Sequence, residues 1–198
     1  MRPSSPAIGG LDRVRGVTLR HLRPLSQDAI DWLPLPDAKS IAELALHIAG
    51  FEYLAVAAVR RAQHLTWRSD VWPGLAGGFA REAGFEPVCG LSCRSLVERL
   101  DQVRVLTLEH LAEPSAAAWV DDLAGAARGL LAELSTYGPP ADYAKLTEGH
   151  ARSLVAEGPT DAAGRTDLIA LLTHHETYHR GHVTYVAYLH SRRVTSCE

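Results

Sequence analysis

The sequence predicts an all-α fold, and three observations carry that prediction. Few segments alternate apolar and polar residues, so strand signals are poor. Five stretches repeat apolar residues at steps of three and four, the period of a helix with one buried face. Two of the expected helix starts carry side chains suited to capping. The 198 residues suffice for one domain with a real core, taken here as 1–198.

The first stripe holds Leu11, Val14, Leu22 and Leu25, with Pro24 interrupting it. Ser26 can cap a short helix over QDAIDWL, and PLPDAK reads as a proline-rich turn. Ser40-Ile41-Ala42-Glu43 is a capping box, because the Ser oxygen and the Glu carboxylate can each satisfy a free N–H at a helix start. The helix that follows is expected to reach about Trp67, with Ile41, Leu44, Ile48, Phe51, Ala55 and Val59 on its apolar stripe and His47 among them. Residues 68–91 hold Pro73, Pro87 and five glycines and read as a long irregular crossover.

A further helix fits Ser92 to about Leu111, with Leu96, Leu100, Val103 and Thr107 in register. After Pro114, Val120, Leu123, Ala127, Leu130 and Leu134 form another stripe, and residues 143–165 are ambiguous. The last helix is expected from Thr166-Asp167 to about Ser191. Its inner positions Leu168, Leu172, His175, His179, His182, Val186 and Leu189 alternate steps of four and three, as in the seam of a bundle.

Three consecutive seam positions are therefore histidine. A buried imidazole left unpaired costs on the order of 1–3 kcal/mol, and a divalent metal ion offers compensation. Neutral imidazole suits Zn, Ni, Fe or Cu, and an i, i+4 pair points both rings at one centre. His175 and His179 are the first two candidate ligands, and His47, inside an apolar stripe of another helix, is the best third. Three protein ligands leave a position open for water or substrate, as in catalytic sites. His182 is a candidate fourth ligand, a donor that orients a ligand from behind, or a proton acceptor lining the pocket. His110 and His190 have no strong claim, although His110 falls near the inner register of its helix.

His175-Glu176-Thr177-Tyr178-His179 also matches the H-E-x-x-H signature of zinc proteases. The extended protease form fails, since position 182 is His where Gly is needed and position 185 is Tyr where His is needed. A downstream Glu ligand fails too, because the sole acid after His179 is Glu198.

A net charge of −3 suggests no phosphate-binding surface, so no nucleic-acid partner is expected. Of 20 basic side chains only Lys39 and Lys145 are lysine. Three cysteines, an odd count without a framework, read as reduced thiols. No uninterrupted apolar run is long enough for a membrane span. MRPSSPAIGG lacks the apolar core of a signal peptide. The expected location is cytoplasmic.

His175-x-x-x-His179-Arg180-Gly181-His182 resembles the H-x-x-x-H-R-G-Q motif that closes the DinB-like (YfiT-like) four-helix metalloproteins. SIAELALHIAGFEYLAV, with His47 after its capped start, resembles that superfamily's second-helix motif. LSQDAIDWLPLPDAKS is similar to its first-helix exit. The resemblance covers the order and spacing of most of the chain and is weakest from about 112 to 160. It implies an up-down-down-up four-helix bundle, often a homodimer, with one divalent metal ion between the helices on His47, His175 and His179. One departure is His182, where the family has Gln.

The superfamily includes thiol-dependent S-transferases and a mycothiol-dependent maleylpyruvate isomerase. The resemblance implies a metal-dependent enzyme acting on a small molecule: a low-molecular-weight-thiol S-transferase, using bacillithiol or mycothiol, or a hydrolase. The metal expected is Zn or Ni before Fe or Mn. Glu176 and His182 are the candidate catalytic residues, and Tyr178 and Arg180 the candidate cofactor-binding ones. The alternative is a non-catalytic metal-binding stress or structural protein.

Overall fold

The computed structural model describes residues 6–66, 68–79, 87–112, 119–120 and 166–195. Most of them are helical. The helices are α1 (Pro6–Leu22), α2 (Gln27–Asp31), α3 (Ile41–Ala62), α4 (Cys93–Ala112) and α5 (Leu168–Thr195). The strand content among the described residues is one two-residue antiparallel pairing, Trp119 with Asp167 and Val120 with Thr166. Val120, expected on a helical stripe, belongs to that pairing, while Leu123, Ala127, Leu130 and Leu134 lie outside the described residues.

Helix α3 is the centre. It packs against α4, α5 and α2, and α1 packs against α5 and α4. Its start is the capping box: Glu43 N donates to Ser40 Oγ at 3.1 Å and Ser40 N to Glu43 Oε2 at 2.8 Å. Every residue from Ser40 to Val59 is buried, so α3 is enclosed on all sides and not along a single stripe. Ile41–Arg61 is also apolar and long enough to cross a membrane, but that window is entirely buried within the protein. Glu43, His47 and Glu52 break the apolar run, which is why no uninterrupted stretch stands out in the sequence.

The helix stops at Ala62 and does not reach Trp67. His64 N donates to Arg61 O and Leu65 N to Arg60 O, the paired bonds of a left-handed helix terminus, with His64 at φ 56° where glycine is usual. Helix α1 ends at Leu22 because Arg23 precedes Pro24, and a residue before proline is pushed out of the helical region. In α2, Ser26 Oγ accepts from Ala29 N at 3.2 Å, as its sequence suggests. Helix α5 begins directly after Asp167, whose Oδ1 accepts from Ala170 N at 3.0 Å.

The expected irregular crossover is partly regular. Ser69–Gly74 and Ala76–Phe79 form two 3-10 turns that bury Trp72, Leu75 and Phe79 against α3. Small residues permit this approach: a Cβ on Gly78 would lie 2.3 Å from the His47 backbone nitrogen. Among the described residues, Cys89 is exposed and Cys93 Sγ donates to Leu22 O at 3.4 Å.

Candidate metal centre

The capped start of α3 fixes the register of His47, and the seam of α5 brings His175 and His179 to face it. The pairwise ring-centroid separations are 5.2 Å (His47–His175), 4.6 Å (His47–His179) and 4.4 Å (His175–His179). One ring nitrogen from each lies within 4.8 Å of the others. His47 and His175 are buried and His179 half-buried, so the cluster opens on the His179 side. Phe51 stacks flat on His175 at 3.5 Å and holds its plane. Phe79, carried by the second 3-10 turn, packs on His47 at 4.9 Å. Three imidazoles converging beside an apolar wall are a donor set that fits a divalent transition metal ion.

The sequence profile of the DinB superfamily matches residues 10–183. The protein belongs to the DinB superfamily. No curated protein and no solved structure matches the chain. The superfamily match covers α3, α4, most of α1 and the first half of α5 of this DinB protein, and so all three residues of the histidine cluster.

The remaining candidate residues are placed differently from one another. Glu176 does not join the three histidines. Its side chain is buried, and both carboxylate oxygens accept from arginine: Oε1 from Arg15 Nε at 2.8 Å, Oε2 from Arg104 Nη2 at 2.9 Å. A step of one residue rotates a side chain about 100° around a helix, which turns Glu176 from the histidine cluster toward α1 and α4.

His182, expected in the seam, is exposed, and Val183 is buried in its stead. The expected seam keeps a strict 3.5-residue period while a helix turns every 3.6, so the inner face drifts by about 20° per heptad. The His182 ring still lies 5.3 Å from that of His179 and 4.6 Å from that of Tyr178. Tyr178 is 54% exposed and stands edge-on to His179 at 5.0 Å. Arg180 is half-buried and lines a separate groove with His21 and Tyr185.

The largest feature absent from the sequence reading is the cluster around Glu176. Arg15, Glu52, Arg104 and Glu176 are all buried, come from α1, α3, α4 and α5, and sum to zero charge. Arg15 Nη2 reaches Glu52 Oε2 at 2.6 Å, and Arg104 Nε reaches Glu52 Oε1 at 2.8 Å. Thr107 Oγ1 donates to Glu52 Oε1 at 2.6 Å, Arg104 Nη1 donates to Leu11 O at 2.6 Å, and Arg15 Nη1 donates to Leu100 O. Every long described helix is thereby tied to the others beneath the histidines.

Burial alone would push the Glu52 carboxyl up. The charges of Arg15 and Arg104, with hydrogen bonds from Arg104 and Thr107, outweigh burial and hold it at about 2, against 4.5 for a free glutamate. A depressed carboxyl stabilises the fold fully above the unfolded value and loses that contribution as pH falls through the folded one. The shift corresponds to roughly 3 kcal/mol. Unfolding free energy measured by urea is therefore expected to fall steeply from pH 4.5 toward pH 2. Glu52→Gln should flatten that slope, and an unchanged slope would show that Glu52 does not supply it.

Two further residues have roles that the sequence did not assign. Lys39 Nζ lies 3.2 Å from His47 Nδ1 and donates to Gly78 O at 2.7 Å, bracing the first ligand candidate from behind. Its rarity as one of two lysines was the available signal. His190 is buried at the end of α5, with Nε2 2.8 Å from Asp28 Oδ2 and its ring edge-on to Trp32. It docks α2 onto α5 and takes no part in the histidine cluster.

Proposed function

We propose that this DinB-superfamily protein is a metal-dependent enzyme, built as an up-down-down-up four-helix bundle in which His47, His175 and His179 hold one divalent transition metal ion. The observation that carries the reading is the convergence of three imidazoles from two helices, with His182 outside the group. Three ligands leave a coordination position open, the arrangement of a catalytic site. Zn or Ni suits this all-imidazole set better than Fe or Mn.

A bound ion would supply a nucleophile at neutral pH, by lowering the pKa of a coordinated water or thiol. The chain's own residues do the rest. Phe51 and Phe79 keep one side of the site apolar and exclude water from it. Tyr178 and His182 stand at the open side beside His179, where they can orient a small-molecule substrate and exchange a proton with solvent. Glu176, locked between Arg15 and Arg104, acts by fixing the rotation of α5 and so the aim of His175 and His179. The reaction class this supports is transfer of a low-molecular-weight thiol, such as bacillithiol or mycothiol, or hydrolysis of a small substrate. We place the enzyme in the cytoplasm as a homodimer. Exposed Tyr185 and Tyr188 on α5 offer the aromatic surface that subunit contacts favour.

Elemental analysis of the purified protein tests the reading. About one metal ion per chain is expected. Loading should fall more than about tenfold in His47→Ala and in His179→Ala, since removing an outer-shell partner alone costs 10- to 100-fold. His182→Ala should retain the ion. Loss in all three variants would indicate a closed four-histidine site and a structural role. No metal even after reconstitution would sink the proposal.

A further inference from the structure

A cleft of about 210 Å³ lies between α3 and α4, under the turn that follows α3. None of its lining residues belongs to the histidine cluster. Along α3 it runs from Tyr53 to Arg60, six to thirteen residues past His47, or about 9 to 20 Å at 1.5 Å per residue. Its walls are Tyr53, Val56, Ala57, Val103 and Leu106, nearly all buried in the core.

The polar groups in those walls are already engaged. Tyr53 Oη donates to Arg68 O at 2.7 Å, and Thr107 Oγ1 donates to Glu52. Arg60 Nε donates to Thr66 O at 2.6 Å. The two bonds, to Thr66 and Arg68, also hold the cleft's roof in place, and the chain reaches Thr66 through the left-handed residue His64. The cleft is thus formed before any ligand arrives, at the expense of a backbone conformation that glycine adopts more easily. At the mouth, Arg60 and Arg68 face Glu109, and Arg68 pairs with Asp70 at 2.8 Å. Two cations against two acids leave no net charge to attract an ion.

We infer that this cleft is a second binding site, separate from the metal centre, for a small uncharged and mainly apolar molecule of about one aromatic ring. The size fits, since an apolar cavity of about 150 Å³ takes up benzene. A pre-formed apolar pocket between bundle helices with polar groups confined to its rim is the usual form of a small-molecule site.

The test is titration of the full chain with fluorobenzene, followed by fluorine NMR. Saturable binding is expected in the unaltered protein. It should weaken at least tenfold in Ala57→Leu, which fills the floor, and in Leu106→Trp, which closes the half-buried rim and spares the core if the first variant misfolds. His179→Ala should bind the probe as the parent does. Absence of saturable binding would overturn the inference. So would unchanged affinity in Leu106→Trp with native circular dichroism, or loss of binding in His179→Ala, which would place the probe at the metal centre.

Discussion

Replacing Arg104 with methionine is expected to lower the unfolding free energy by about 3–5 kcal/mol, the usual cost of removing one partner from a buried ion pair. Arg104 bonds Glu52 through two nitrogens, Glu176 through one and the Leu11 carbonyl through another. Its own charged form is favoured, because attraction to Glu52 and Glu176 outweighs its burial. Without it, two buried carboxylates share Arg15 alone, and a carbonyl of α1 loses its donor. The urea midpoint should drop with little change in slope. Adding Glu52→Gln should then cost less than it does in the parent, because the two side chains share one network. A loss under about 1 kcal/mol would mean that water reaches these groups and that they behave as a surface pair.

Gly78→Ala should cost about 2–3 kcal/mol, near the upper range for overpacking, and should weaken metal binding as well. The added methyl would sit 2.3 Å from His47 N, 2.5 Å from Leu46 C and 2.7 Å from His47 Cα. All three are backbone atoms of the central helix, so no flexible side chain can give way. Either the Ala76–Phe79 turn lifts, taking Phe79 and the carbonyl that holds Lys39 with it, or α3 moves at the first ligand. Gly16→Ala is the control. A Cβ there meets nothing within 4 Å, and alanine in a helix interior is better than glycine by roughly 0.5–1 kcal/mol. Equal melting temperatures for the two variants would refute the close-packing argument.

The three histidines and most helix boundaries were legible because each depends on local rules. A capping box, a proline stop and an i, i+4 histidine pair act over a few residues, and the structure keeps them. The ion network was not legible, although its members stand in view. Arg15 follows Leu11 by four, Arg104 follows Leu100 by four, and Glu52 lies between Phe51 and Tyr53, all at inward positions. A charged residue in an apolar stripe normally signals a register error, and only its partners on three other helices make burial tolerable. The inward placement of His182 was not kept, because a seam extrapolated over about four turns from Leu168 accumulates rotation, and Val183 is buried beside it. The 3-10 turns before residue 80 were hidden because glycines that permit close packing look the same in sequence as glycines that permit a loop.

The enclosure of α3 has a consequence for how long the site persists. With Ser40 to Val59 all buried, capped at the start and closed by paired bonds at the end, its amide hydrogens have no local route to solvent. Protection of that order is characteristic of segments that exchange only when the entire molecule opens. His47 therefore belongs to the slowest-exchanging part of the protein. One wall of the candidate metal centre has the lifetime of the fold itself.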